Sequence, residues 1–184
     1  MMVAETPRPE GFRRVQAALA AMGHPHAPQW LDVPARTCAE AADALGVQVG
    51  QIAKSVVFRR LADSAAVLVV ASGDRRVDEA RVAQQVGPVG RADASFVKQQ
   101  TGFSIGGVSP VAHQPQGPAE VAHRPQGQVA LAVARPPVVL VDRELFRFEV
   151  IWAAAGHPNG VFCLSPDALL RLTGAPAADV VEPV

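Results

Sequence analysis

Apolar residues recur at three- and four-residue steps over positions 8–22, where Phe12, Val15, Leu19 and Met22 share one face. That spacing predicts an amphipathic helix, ended by Gly23. The proline-rich stretch 24–29 then turns the chain, and residues 30–34 (WLDVP) read as a short strand. Thr37, followed three residues later by Glu40, carries the capping-box signature of a helix over 38–45 that Gly46 closes. A short helical turn is expected near 48–52. Two valine-rich runs, 53–60 and 66–72, are separated by only a short loop and predict an antiparallel strand pair. Helices are expected over 78–86, with Asp78 near its start and Gly87-Pro88 at its end, and over 93–100, stopped by Thr101-Gly102.

Beyond residue 103 the pattern changes. Gly106 and Gly107 in Phe103–Pro110 call for an unusual backbone path. The heptapeptide VAHQPQG at 111–117 returns as VAHRPQG at 121–127, a two-copy repeat too short for a solenoid and read as a duplicated, irregular and mobile loop. Strand character resumes over 128–134, 137–142, 148–154 and 160–164. The last two are separated by a turn that ends in Asn159-Gly160, a hairpin signal. Ser165 as N-cap and Pro166 at the first position predict a final helix over 166–173, closed by Gly174, and the tail 175–184 is expected to fray. Together these elements predict a single α+β domain over residues 1–184, with its core at about 30–174. Its sheet is expected to be mixed, mostly antiparallel, with six to seven strands flanked by short helices.

Composition narrows the function. The chain has 184 residues, 49% hydrophobic and 18% charged, which suits one globular domain with a substantial core. The formal net charge is zero, which argues against a general nucleic-acid binder. Contact with nucleic acid is therefore expected to be local, with Arg13-Arg14, Arg59-Arg60 and Arg75-Arg76 as the available basic pairs. No apolar run reaches the roughly 20 residues that span a bilayer, and no secretory signal is visible at the start, so a cytoplasmic protein without a membrane partner is expected. Cys38 and Cys163 stand far apart and read as reduced thiols.

The search for a protein nucleophile returns nothing specific. Ser55, Ser72, Ser104, Ser109, Thr101, Cys38 and Cys163 are present, but no G-x-S-x-G elbow frames any of them. His24-Pro25-His26 is a weak metal motif, and neither H-E-x-x-H nor C-x-x-C occurs, so no metal and no cofactor are expected. Two features remain. Of 17 basic residues only Lys54 and Lys98 are lysines, and Lys54 stands in the apolar run IAKSVVF, where a desolvated ammonium could serve chemistry. Gly106-Gly107 before Pro110 could present successive backbone N–H groups to an anion or a developing oxyanion. Such a pair suits ester hydrolysis.

The run Gln51–Phe58 resembles the lysine strand of the YbaK/prolyl-tRNA synthetase-associated editing family, and Ala71–Asp78 resembles the segment that follows it. Ala92–Pro110 is similar to the region of the family's Gly-x-x-x-Pro loop, and Val141-Asp142 and Trp152–Pro158 fit its C-terminal part. The resemblance spans roughly residues 30–174 in order. It implies a free-standing deacylase that clears mischarged tRNA, mostly tRNA for proline carrying alanine, cysteine, serine or threonine. It carries a catalytic role onto Lys54, Gly106 and Gly107, and substrate binding onto Val108, Ser109, Pro110, Ser72, Asp74 and His157. The implied partner is the aminoacylated 3′ end of tRNA, with a synthetase or elongation factor as a candidate companion and a monomer as the expected state. The family continues from the loop with a Gly-His pair, whereas this chain has Ala112-His113. A non-catalytic tRNA- or nucleotide-binding module of the same fold is the alternative.

Overall fold

The chain's most uniformly apolar run, AVLVVAS at 66–72, has no polar face to turn to water, and such a strand must be covered on both sides. The computed structural model, which describes residues 6–116 and 134–184, is built around this requirement. In chain order the elements are α1 (Glu10–Ala21), β1 (Gln29–Trp30), α2 (Cys38–Leu45), β2 (Ile52–Arg60), β3 (Ala66–Ser72), α3 (Glu79–Val86), β4 (Val89–Arg91), α4 (Ala94–Thr101), β5 (Val138–Asp142), β6 (Ile151–Ala154), β7 (Gly160–Leu164), α5 (Pro166–Thr173) and β8 (Ala177–Ala178). Single 3-10 turns lie at Val49–Gln51 and Arg143–Arg147.

Among the described residues the sheet has eight strands, against the six to seven expected, in the order β1-β7-β6-β2-β3-β5-β8, with β4 added on β2. β3 pairs antiparallel with β2 and parallel with β5, and all seven of its residues are buried. One face of the sheet, through Leu68 and Val70, joins a core with Phe12, Val15 and Leu19 of α1, Leu169 of α5, and Phe103 and Phe162. The other face, through Val67, Val69 and Ala71, packs on Val82 of α3 and on Val180 and Val181. Helices α2 to α5 each start on a side-chain cap. Thr37 and Glu40 close a capping box, and Asp78, Asp93 and Ser165 accept from first-turn N–H groups. At the end of α4 the Lys98 ammonium donates to the Gly102 carbonyl at 3.1 Å.

Three expectations need correction, and one strand has no signal in the sequence. The strand expected over 30–34 shortens to Gln29–Trp30, because beyond it Leu31 and Ala35 donate to Asn159 and Pro158 in the hairpin loop rather than to a strand. β4 arises from Val89–Arg91, a stretch with a central glycine that carries no strand pattern and is recruited by the outer half of β2. The strand expected at 148–154 begins only at Ile151. The tail does not fray: Ala177–Ala178 pair with β5, Val181 bridges Val77, and Val180 is fully buried. An open β5 edge and the apolar side of α3 offered the tail more burial than solvent did. The strand expected at 128–134 and the second half of the duplicated loop fall on residues outside those described. The first half, 111–116, is tied down: Gln114 and Gln116 donate to Thr101 and Gln99 of α4.

Ala112 has a φ of 62°, the left-handed region that alanine occupies only at a cost, and its carbonyl accepts from Arg14 Nε at 2.9 Å. Ala112→Gly is therefore expected to raise stability by about 0.5–1 kcal/mol. The measurement is a shift of the urea midpoint to higher concentration at unchanged slope. A lower midpoint would show that the backbone is not strained there.

Candidate active site

β2 is nine residues long, yet its outer edge is shared by two short strands. β6 registers only with Ile52 and Ala53, and β4 only with Phe58–Arg60. Among the described residues, positions 54–57 have no strand partner on that side. The break opens a cleft of about 250 Å³. Alternation puts Ile52 and Lys54 on one face of β2 and Ala53 and Ser55 on the other, and all four line the cleft because the edge between the faces is open. The start of α2, the 105–108 loop and the β6–β7 hairpin form the remaining walls.

Lys54 is half-buried, and its ammonium donates to the Arg75 carbonyl. That carbonyl belongs to a turn that is itself tied down. Asp74 pairs with Arg147 at 2.7 Å and Arg75 with Glu144 at 3.0 Å. Ser72 Oγ lies 2.6 Å from the Gly50 carbonyl and accepts from Arg147 Nη2 at 2.8 Å, and the Ser72 N–H donates to the fully buried Asp142 carboxylate. Hydrogen bonding to Arg147 holds the Asp74 carboxyl below its ordinary pKa, while burial pushes that of Asp142 up. Lys54 also borders a shallower depression with Asp74 and Arg75 on the far side.

The residues singled out from sequence therefore divide. Lys54, Gly106, Val108 and His157 line the cleft. Ser72 and Asp74 do not; they brace the turn that receives the lysine. Ser109 and Pro110 are buried behind the loop, where Ser109 Oγ accepts from the Val111 N–H and its carbonyl meets the His113 ring at 2.7 Å. The two successive glycine N–H groups do not both face outward. Gly107 N–H closes a turn on the Ser104 carbonyl at 3.0 Å, whereas the loop residues that line the cleft, Ile105, Gly106 and Val108, have N–H groups with no partner among the described residues. Gly107 matters through its missing side chain, since a Cβ there would lie 2.8 Å from the His157 backbone.

His157 is fixed from several directions. Its Nδ1 accepts from the Asn159 N–H at 3.1 Å, and its ring stacks on Trp30 with centroids 4.8 Å apart and planes 24° off parallel. Burial lowers its pKa, so the neutral ring carries its proton on Nε2. Cys38, Arg36 and Thr37 join the lining from the start of α2. Burial raises the Cys38 pKa, against a smaller pull from the nearby Lys54 charge, so this sulfur stays a thiol rather than a nucleophilic thiolate. Ser55 Oγ is buried with no hydrogen-bond partner among the described residues. These contributions were invisible in the sequence because they depend on α2 packing over β2 and on β1 joining the edge of β7. The capping box located the start of α2 but not what it covers. Among the described residues no group of three or more metal-ligating side chains occurs, and His24 Nε2 meets the Cys163 carbonyl instead.

A family model described as an aminoacyl-tRNA editing domain matches residues 32–172. The uncharacterized protein YwhH of Bacillus subtilis (strain 168) is 32% identical over 134 residues, 72% of this chain and 72% of that protein. A solved structure described as a candidate trans-editing enzyme for prolyl tRNA synthetase is similar at a TM-score of 0.79 and 35% identity, covering 96% of this chain and 100% of the other. The hypothetical protein APE2540 is similar at a TM-score of 0.75 and 31% identity, covering 92% and 99% of the two chains. The family match takes in Lys54, the 106–110 loop and the 155–160 hairpin, and on that extent the chain belongs to the aminoacyl-tRNA editing domain family.

Proposed function

We propose that the protein hydrolyses the ester between a small, wrongly attached amino acid and the 3′-terminal adenosine of tRNA, acting in trans, with tRNA for proline as the carrier. The observation that carries this reading is the shared cleft, in which a half-buried lysine and the Gly106–Val108 backbone border one small space at the broken edge of β2. An ester carbonyl held there gains negative charge as water attacks. The Gly106 and Val108 N–H groups are among the donors available to that oxygen. Lys54 keeps one proton on the Arg75 carbonyl and has two more to anchor the substrate. Among the described residues no side chain of the cleft is set up as a nucleophile: burial raises the Cys38 pKa, and Ser55 Oγ has no hydrogen-bond partner. Water is then the attacking group, and the family resemblance implies that a ribose hydroxyl of the substrate helps it. Rate comes from positioning and fixed dipoles. The cleft volume of about 250 Å³ leaves room for the ester and its side chain without choosing among them, and alanine, cysteine, serine and threonine all remain candidates.

Lys54→Ala is expected to lower deacylation of tRNA for proline, charged in turn with those four amino acids, by about 100-fold or more on the preferred ester. An unchanged circular dichroism spectrum would show that the fold survives. Full activity in the variant would remove Lys54 from the reaction, and wild-type binding without acceleration of any ester would make the protein a binding module instead. Gly107→Ala forces the His157 backbone to move. It is expected to reduce kcat/KM about tenfold or more and to cost about 1–3 kcal/mol of stability. Wild-type kinetics in that variant would show that the loop and the hairpin are not coupled.

A further inference from the structure

Trp30 lies just before the span matched to the family, and nothing in its sequence neighbourhood marks it. The fold gives it a defined place. β1 pairs with the edge of β7, Trp30 opposite Gly160, which brings the indole beside the turn that carries His157. The Phe12 ring of α1 meets it edge-on at 5.3 Å, the Arg8 guanidinium lies 4.6 Å from its centroid, and the His157 imidazole stacks on it. The histidine is thereby held at four points: Gly107 against its backbone, the Gly160 N–H on its carbonyl, the Asn159 N–H on Nδ1, and the indole on its face. Among the described residues Nε2 has no partner.

We propose that Trp30 is a positioning residue for the hydrolytic site: its stacked indole holds His157 in the orientation that aims the Nε2–H into the cleft beside Lys54. This rests on the deacylase reading for the reaction but not for the geometry. A neutral imidazole with Nδ1 occupied is a donor at Nε2 alone, and the one freedom left to it is rotation of the ring plane, which a parallel indole restricts. Protonation would place a second N–H against the Asn159 N–H and drive the ring out of this position. Charged and titratable groups around His157 are Arg8 across the indole, Arg36 and Cys38 at the start of α2, and Lys54 on β2. Among the described residues no carboxylate lines the cleft to favour the imidazolium. Removing the indole admits water to the ring face, which relieves the burial that disfavours the charged form.

The test compares the full-length wild type with Trp30→Leu and Trp30→Phe, the His157 resonance being assigned with His157→Gln. Two readouts are taken: kcat and KM on the preferred mischarged tRNA, and the titration of the His157 ring followed by NMR. In Trp30→Leu, kcat is expected to fall about tenfold with KM within about threefold, and the titration midpoint to rise toward the ordinary histidine value of 6.5. Trp30→Phe keeps an aromatic face and is expected to restore most of kcat, with a smaller rise of the midpoint. An unmoved midpoint in Trp30→Leu overturns the proposal. Should that variant not fold, an unmoved midpoint in Trp30→Phe overturns it equally. A wild type inactive on every ester whose midpoint still rises in Trp30→Leu would sink the deacylase reading and leave the positioning role standing.

Discussion

An ammonium group on a half-buried strand needs acceptors to replace the water it gives up, and Lys54 meets that need with the Arg75 carbonyl. The constraint reaches far. The carbonyl can serve only if the turn after β3 is immobile, and that turn is pinned by Arg147, Glu144 and the buried Asp142. The 3-10 turn Arg143–Arg147 between β5 and β6 is held by these contacts and by Leu145, which is fully buried in the core. Ser72 and Asp74 thus serve the cleft from outside it.

A second constraint is the close approach of backbones. Gly11 in the first turn of α1 and Gly156 in the hairpin meet so tightly that a Cβ on either would collide with the carbonyl of the other. Gly160 leaves room for Phe12, and Gly107 for His157. Helix, hairpin and loop therefore behave as one body around the cleft. Arg14 adds to this by lying over Phe103 and donating to the Ala112 carbonyl. Absent side chains set the shape of the site as much as those present do.

Much of this was legible from local pattern. The capping box of α2, the Ser165-Pro166 start of α5, the β2–β3 pair and the β6–β7 hairpin follow from residues a few positions apart. Lys54 stood out because lysine is scarce and its neighbours apolar, and Gly106-Gly107 because glycine pairs mark special backbone. What escaped depended on distant partners. β4 is a strand only because β2 extends past β6, and the tail is ordered only because β5 offers an edge. Trp30 finds His157 across more than a hundred residues of chain. Gly107 carried the right signal for another reason, since two adjacent glycines look alike in sequence whichever N–H turns inward.

The scarcity of lysine has a chemical consequence. One of the two lysine amines sits in the cleft on the Arg75 carbonyl, and the other sits on the carbonyl at the end of α4. Acetylation of the first would erase the positive charge from that face of the cleft in a single step, while the abundant arginines, with no amine to acylate, would be untouched. The molecule thus carries, among only two lysine amines, one chemical address that coincides with its candidate site.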